Sequence, residues 1–440
     1  MSSHPITPED LQAFRSACQD SMTRVAAHAL SRTDLQDVCY VPAEAKKMIH
    51  KFSLEIPGMA ACDQKASGRC WIFASLNILR EQLAKEKNLP DFRLSQNYIA
   101  FYDHLEKANG FLQNVLDTGF LPMEDRYVSR LFSEPVGDGG WWEYFVGLTQ
   151  KYGLVPEDAM PDTFQSSHTE NMNMVLNMQL RKDGLRLRQA LAEGETPDTL
   201  SSLKKEMLSR GYRFLTICLG TPPERFDFEY CGKDGVYHAD RDLTPRSFYE
   251  SHIGTDLTEI VSILNAPLPS VPYYSLSYVR GEESIHGAYQ ARRLNLPMKE
   301  FKAAVLRQLS AGEPVWFVCD SDYFGNKQEG IWHTGLYDYE TPLGLELHLE
   351  KGDLLLSRQS SLNHAMVLTG VNLSEGVPDR WKAENSWGAD IGSQGYFVLS
   401  DQWFDRYVYT ASIRKEYLTA QEKECFSQEP LVLEPWSVIG

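Results

Sequence analysis

Long apolar runs are missing from this chain. No uninterrupted stretch of its 440 residues approaches the roughly 20 needed to cross a bilayer, so no membrane span is expected. Met1-Ser2-Ser3-His4-Pro5 has no basic n-region and no apolar h-region, so no secretory signal is expected and the reading is cytoplasmic. Paired cysteines are missing too. The eight cysteines, at 18, 39, 62, 70, 218, 231, 319 and 425, form no CxxC pair and no zinc-like spacing. In a reducing cytosol they stay thiols. Seven of them read as small buried hydrophobes, and Cys70 is set apart by its neighbours. Positive charge is scarce: 43 basic against 60 acidic residues leave a formal charge of -17. A net acidic surface repels phosphate backbones, so nucleic acid is not an expected partner. Internal repeats and low-complexity linkers are absent, which points to one compact enzyme with insertions.

What is present is ordinary for a globular enzyme: 42% hydrophobic and 23% charged residues. The length suffices for roughly three units of average domain size. Thr7-Pro8-Glu9-Asp10 opens a helix expected to run to about Ser31. Segment 38–60 reads as irregular or strand-like. A helix is expected from Cys70, where Trp71, Ala74, Leu76, Ile78 and Leu79 form a broad apolar face. Leu94-Ser95-Gln96-Asn97 caps a second helix through about Val115, and Gly137-Asp138-Gly139-Gly140 turns into a Trp-rich helix over 141–152. Residues 168–210 have a helical period, with Met172, Met174, Leu176, Met178 and Leu180 as apolar members. Residues 271–279 and 314–319 read as strands around a helix at 298–310. Strands are also expected at 365–372, 380–385 and 395–399.

Four residues, in chain order, can fill the roles of a thiol-based acyl-transfer site. Cys70 lies where a loop enters a helix, and there the helix dipole and free N–H groups lower a thiol pKa. A paired His364 lowers it further, giving an expected thiolate–imidazolium pair near neutral pH. Gln64, six residues before Cys70, offers a side-chain NH2 that joins the Cys70 backbone N–H as an oxyanion donor. His364 is followed by Ala365-Met366-Val367-Leu368-Thr369-Gly370-Val371, which places it at the start of a buried strand. Asn385 comes 21 residues later. A hairpin-like return lets it accept from one imidazole nitrogen while the other faces the thiol, and Trp387 shields that bond from water. The chemistry calls for no metal and no cofactor.

These residues, with their neighbours, resemble the bleomycin hydrolase and bacterial aminopeptidase C family of papain-like cysteine peptidases. The resemblance rests on Asp63-Gln64-Lys65-Ala66-Ser67-Gly68-Arg69-Cys70-Trp71, Leu94-Ser95-Gln96-Asn97-Tyr98, Asp138-Gly139-Gly140-Trp141, His364-Ala365-Met366 and Glu384-Asn385-Ser386-Trp387-Gly388. It implies an α+β fold: a two-lobed papain-like core with a large helical insertion and a C-terminal arm entering the cleft. In papain-like enzymes the His follows the Cys by roughly 130–150 residues. Here it follows by 294, so an insertion of about 150 residues must interrupt the core. Gly68-Arg69 also stands where the common signature has Gly-Ser or Gly-Ala. The expected layout is a helical lobe with the nucleophile at 61–150 and a helical insertion at about 150–265. A β-rich lobe with His364 and Asn385 follows at 271–429, and the arm is 430–440. The resemblance further implies a homohexamer and an aminopeptidase in which the terminal carboxylate, here that of Gly440, meets the free amine of a peptide substrate. The ending Glu434-Pro435-Trp436-Ser437-Val438-Ile439-Gly440 is a few residues shorter than the family's usual tail, with Ser437 in place of Asp. An oligo-endopeptidase using the same site is therefore the alternative reading.

Overall fold

The computed structural model describes residues 5–288 and 290–439. The fold is papain-like α+β: helices on one side and a long mixed sheet on the other. The sheet order is 431–433, 276–279, 293–295, 260–264, 408–414, 315–319, 364–374, 377–384, 396–400, 331–332 and 325–326. Its central strands alternate strictly, as a period of two requires. Trp316, Val318, Ala365 and Val367 face the core shared with the helices, whereas Val315, Phe317, Met366 and Leu368 face a second core. That second core is closed by the helix Met298–Ser310.

The helix Cys70–Glu86 lies against the strand His364–Ser374. It buries Trp71, Ile72, Phe73, Ala74, Leu76, Leu79 and Leu83. A helix apolar on nearly every side belongs inside a protein, and this one runs between the helical layer and the sheet. Gln96–Asp117 packs beside it, with Ser95 accepting from the Tyr98 N–H as its cap. Trp142–Tyr152 completes the inner layer.

Two expected helices are each divided. The first becomes Pro8–Ala17 and Ser21–Leu30, because Asp20 accepts from the Thr23 N–H and starts a new helix. The 168–210 segment becomes Glu170–Ala192 and Pro197–Leu219. Gly194 at φ 79° ends the one; Thr196, followed by Pro197, caps the next. Of the apolar members of that segment, Met172, Leu176 and Leu180 are buried, but Met174 and Met178 are exposed. A two-stranded hairpin, Phe226–Cys231 with Tyr237–Leu243, lies within the segment of about 150–265 expected to be helical. The strand expected over 271–279 is confined to Leu276–Val279, since Pro272 has no N–H to pair and Tyr274 has φ 63°. Cys18 and Cys231 are exposed rather than buried, and Cys218 is half-buried.

Candidate active site

The His–Asn half of the site is built by one hairpin. Strands His364–Ser374 and Val377–Glu384 pair antiparallel through Ser374 and Val377. They are joined by Glu375-Gly376 with φ of 53° and 83°. Two positive φ values make the turn whose twist matches the strands, and its second position suits glycine. The pairing of Val367 with Glu384 brings the residue after the second strand back beside the start of the first. His364 Nε2 and Asn385 Oδ1 are 2.8 Å apart, with both side chains buried. The Ser386 N–H donates to the same Oδ1 at 2.8 Å. A backbone N–H must face oxygen, which fixes the amide orientation, so His364 Nε2 carries the hydrogen and donates. Nδ1 is then the nitrogen left for the thiol.

Cys70 opens its helix, and Arg69 before it offers no side-chain cap. The Ala365 N–H donates to Cys70 Sγ at 3.5 Å, which seats the thiol beside the start of the His364 strand. Burial pushes the Cys70 thiol up; the N–H groups of Ala365 and Trp71 oppose this, while the Asp138 carboxylate adds to the rise. Burial pushes the His364 imidazole down to about 4, against the Asn385 bond and with a smaller push from Lys327. Burial thus acts against the ion pair expected from the sequence, while the N–H groups of Ala365 and Trp71 and the Asn385 bond act for it.

Trp387 stacks on His364 with ring centroids 4.8 Å apart and planes at 25°. Lys327 Nζ lies 4.6 Å from the Trp387 ring centroid. The Gln64 segment is tied to this loop: the Gln64 N–H donates to Ser386 O at 2.8 Å, and Asp63 bridges Trp387. Gln64 Nε2 donates one hydrogen to Ser67 O at 2.5 Å, and its Oε1 accepts from Ser386 Oγ at 2.6 Å. The amide is locked from both ends, with the second Nε2 hydrogen outside these two bonds.

A loop on the other side of Cys70 went unassigned by chemistry, although its motif was visible. Asp138 Oδ2 accepts from the Gly68 N–H at 2.8 Å, and Asp138 O accepts from Trp71 Nε1 at 2.7 Å. The contacts leave no room for side chains. A Cβ on Gly68 would meet Asp138 Cβ at 2.7 Å, and one on Gly140 would meet the Trp71 ring at 2.5 Å. Sequence reasoning also missed Ser67 and Ser386, which hold Gln64, and Arg69, buried against Asp162 at 2.8 Å. Their signal lay only in adjacency to the named residues.

Gly440 lies outside the described residues. Ile439 is buried with Leu264, Ala266, Leu268, Val271, Leu355 and Tyr409. Its carbonyl is 3.4 Å from Arg293 Nη1, and the Arg293 guanidinium lies 3.9 Å from the Trp141 ring centroid. Arg293 thus links Ile439 to Trp141, the residue next to Gly140. Among the described residues no cluster of His, Cys, Asp and Glu has the makings of a metal site. No helix among them is long and apolar enough to cross a membrane.

This fold and thiol–imidazole–amide arrangement define a papain-like cysteine peptidase. The model of the Peptidase C1-like family matches residues 5–440, and the chain belongs to that family. It is 40% identical over 392 residues to aminopeptidase C of Lactobacillus delbrueckii subsp. lactis, covering 88% of this chain and 87% of that one. It is 38% identical over 436 residues to aminopeptidase C of Listeria monocytogenes, covering 99% and 98%. The crystal structure of PepW from Lactobacillus rhamnosis superposes with a TM-score of 0.98 at 39% identity, covering 100% of this chain and 99% of that one.

Proposed function

We propose that this chain is a cysteine aminopeptidase, hydrolysing peptide bonds near the free N-terminus through a thioacyl-enzyme. The reading is supported by the His364 Nε2 bond to Asn385, which leaves Nδ1 as the nitrogen to take the thiol proton, and by the Ala365 N–H of the same strand donating to Cys70 Sγ. Cys70 transfers its proton to His364 as Sγ attacks the scissile carbonyl. The tetrahedral oxyanion takes hydrogen bonds from the Cys70 N–H and the Gln64 amide. His364 then gives its proton to the departing amine, the C–N bond breaks, and a thioester remains. Water, deprotonated by His364, attacks the thioester. The acid leaves, and the proton returns to the thiol. Asn385 keeps His364 in the productive tautomer, and Trp387 covers their bond.

The exopeptidase character is supported by relatives named aminopeptidase C and aminopeptidase G. It is supported too by the approach of Ile439 to Trp141 through Arg293. In this reading the Gly440 carboxylate binds the substrate ammonium. A homohexamer acting on peptides in the cytoplasm completes the proposal. The test is hydrolysis of one peptide with a free and an acetylated N-terminus by the wild type and Cys70→Ala. Rapid cleavage of the free peptide alone, abolished in Cys70→Ala with the fold intact, is expected. Retained turnover in Cys70→Ala overturns the nucleophile. Equal rates on both peptides replace the aminopeptidase by an oligo-endopeptidase.

A further inference from the structure

His104 is buried in the helix Gln96–Asp117 and has no part in the chemistry above. Its Nδ1 is 2.8 Å from Ala100 O, an atom that only accepts, so Nδ1 carries a hydrogen. Its Nε2 is 2.8 Å from Asn173 Oδ1 and 3.3 Å from Asp138 Oδ1. Turning the Asn173 amide over does not remove the conflict, because Asn173 Nδ2 is needed as donor to Asp138 Oδ1 at 2.6 Å. Nε2 therefore also carries a hydrogen, and the ring is an imidazolium.

The partner of that charge is a carboxylate whose every contact is a donor. Asp138 Oδ1 receives Asn173 Nδ2 and His104 Nε2; Oδ2 receives the Gly68 N–H at 2.8 Å and the Thr169 hydroxyl. Burial would raise this carboxyl, but His104, Thr169 and Gly68 hold it well below the ordinary carboxylate range. The other charges facing His104 are Asp103 and Lys107, on its own helix and 2.6 Å apart from each other. Helix Glu170–Ala192 and its approach add only the neutral Asn173 and Thr169.

We propose that the Asp138–His104 pair is a positioning device for the reaction. Asp138 anchors Gly68 and Trp71, the residues on either side of Arg69-Cys70, and the His104 imidazolium cancels its charge near the thiol. Without that cancellation the Asp138 carboxylate disfavours a thiolate, since like charges repel. The proposal rests on Cys70 being the nucleophile.

Neutron diffraction from deuterium-exchanged crystals of the full chain at pD 8 reads the ring without any substitution. Deuterium on both Nδ1 and Nε2 is expected, and deuterium on one nitrogen alone overturns the pair. The second measurement is the rate of Cys70 alkylation by iodoacetamide against pH, taken beside kcat and KM on one free-amine peptide. His104→Gln keeps a donor toward Asp138 but no charge. Its alkylation midpoint is expected to move to higher pH, and its kcat to fall while KM holds. Asp138→Asn is expected to lose roughly tenfold or more in kcat through misplacement of the nucleophile. Unchanged alkylation profiles and kcat, or a change in KM alone, overturn the positioning role. Failure of the nucleophile reading is separately visible as turnover retained in Cys70→Ala.

Discussion

Arg80 Nη2 and Glu384 Oε1 meet at 2.7 Å with both side chains 1% exposed, joining the Cys70 helix to the strand that ends beside Asn385. Asn77 Nδ2 donates to the same oxygen at 2.9 Å, and Arg80 also reaches Cys62 Sγ and Ala60 O. The strut spans the two layers that bring thiol and imidazole together.

Removing one end leaves a buried charge without its counter-charge. Arg80→Ala should destabilise the fold by about 3–5 kcal/mol, the usual cost of breaking a buried pair. Urea denaturation followed by tryptophan fluorescence measures this. A loss under about 1 kcal/mol would mean that water reaches the pair.

Asn385→Ala should lower kcat more than it raises KM, because the amide orients a base rather than substrate. Gln64→Ala should lower kcat roughly a hundredfold or more through lost oxyanion stabilisation. Steady-state kinetics on one peptide separates the two constants. A pure KM effect in either variant would assign that residue to substrate contact.

The acid limb of kcat/KM should lie well below the ordinary histidine value of about 6.5. Burial lowers His364 to about 4. Below its pKa the ring already holds a proton and cannot take that of Cys70. Activity is thus present above the midpoint and lost as pH falls through it. The limb belongs to the coupled thiol–imidazole pair. A midpoint at 6.5 or above on a peptide without titrating side chains contradicts the burial argument.

Deleting Val438 to Gly440 should raise cleavage of an N-acetylated peptide relative to its free-amine form. The deletion also removes Ile439, 1% exposed, whose burial stabilises by about 2 kcal/mol. Ile439→Ala, which keeps the terminal carboxylate, serves as the control for that loss. An unchanged ratio in the deletion shows that the tail is not the gate.

The long helices, the central strands and the order of the site were legible because period and caps agree locally. Ser95 and Thr7 cap as their spacing suggests. The divided helices were harder to foresee, since Asp20 and Thr196 act as new caps inside patterns whose period continues. The strand 408–414 follows a helix with no glycine or proline between them. The hairpin at 226–243 is marked by Pro222-Pro223, by Gly232-Lys233-Asp234-Gly235 at its turn and by Pro245, signals outweighed by the helical period of the preceding segment. The sequence supplies the helix start and the partner, which favour an ion pair, but not the burial of His364, which opposes it. His104, one of eleven histidines, gains meaning from Asp138 and Asn173, 34 and 69 residues further along the chain.

The hairpin holding His364 and Asn385 is local, whereas Cys70 lies 294 residues upstream. Base and orienting amide can assemble as the hairpin zips, but the thiol joins them only when the helix docks on the sheet. A nascent or partly unfolded chain therefore carries an idle sulfur and an idle imidazole. Peptidase activity thus depends on completion of the tertiary fold, because only the docked helix brings the thiol to the hairpin.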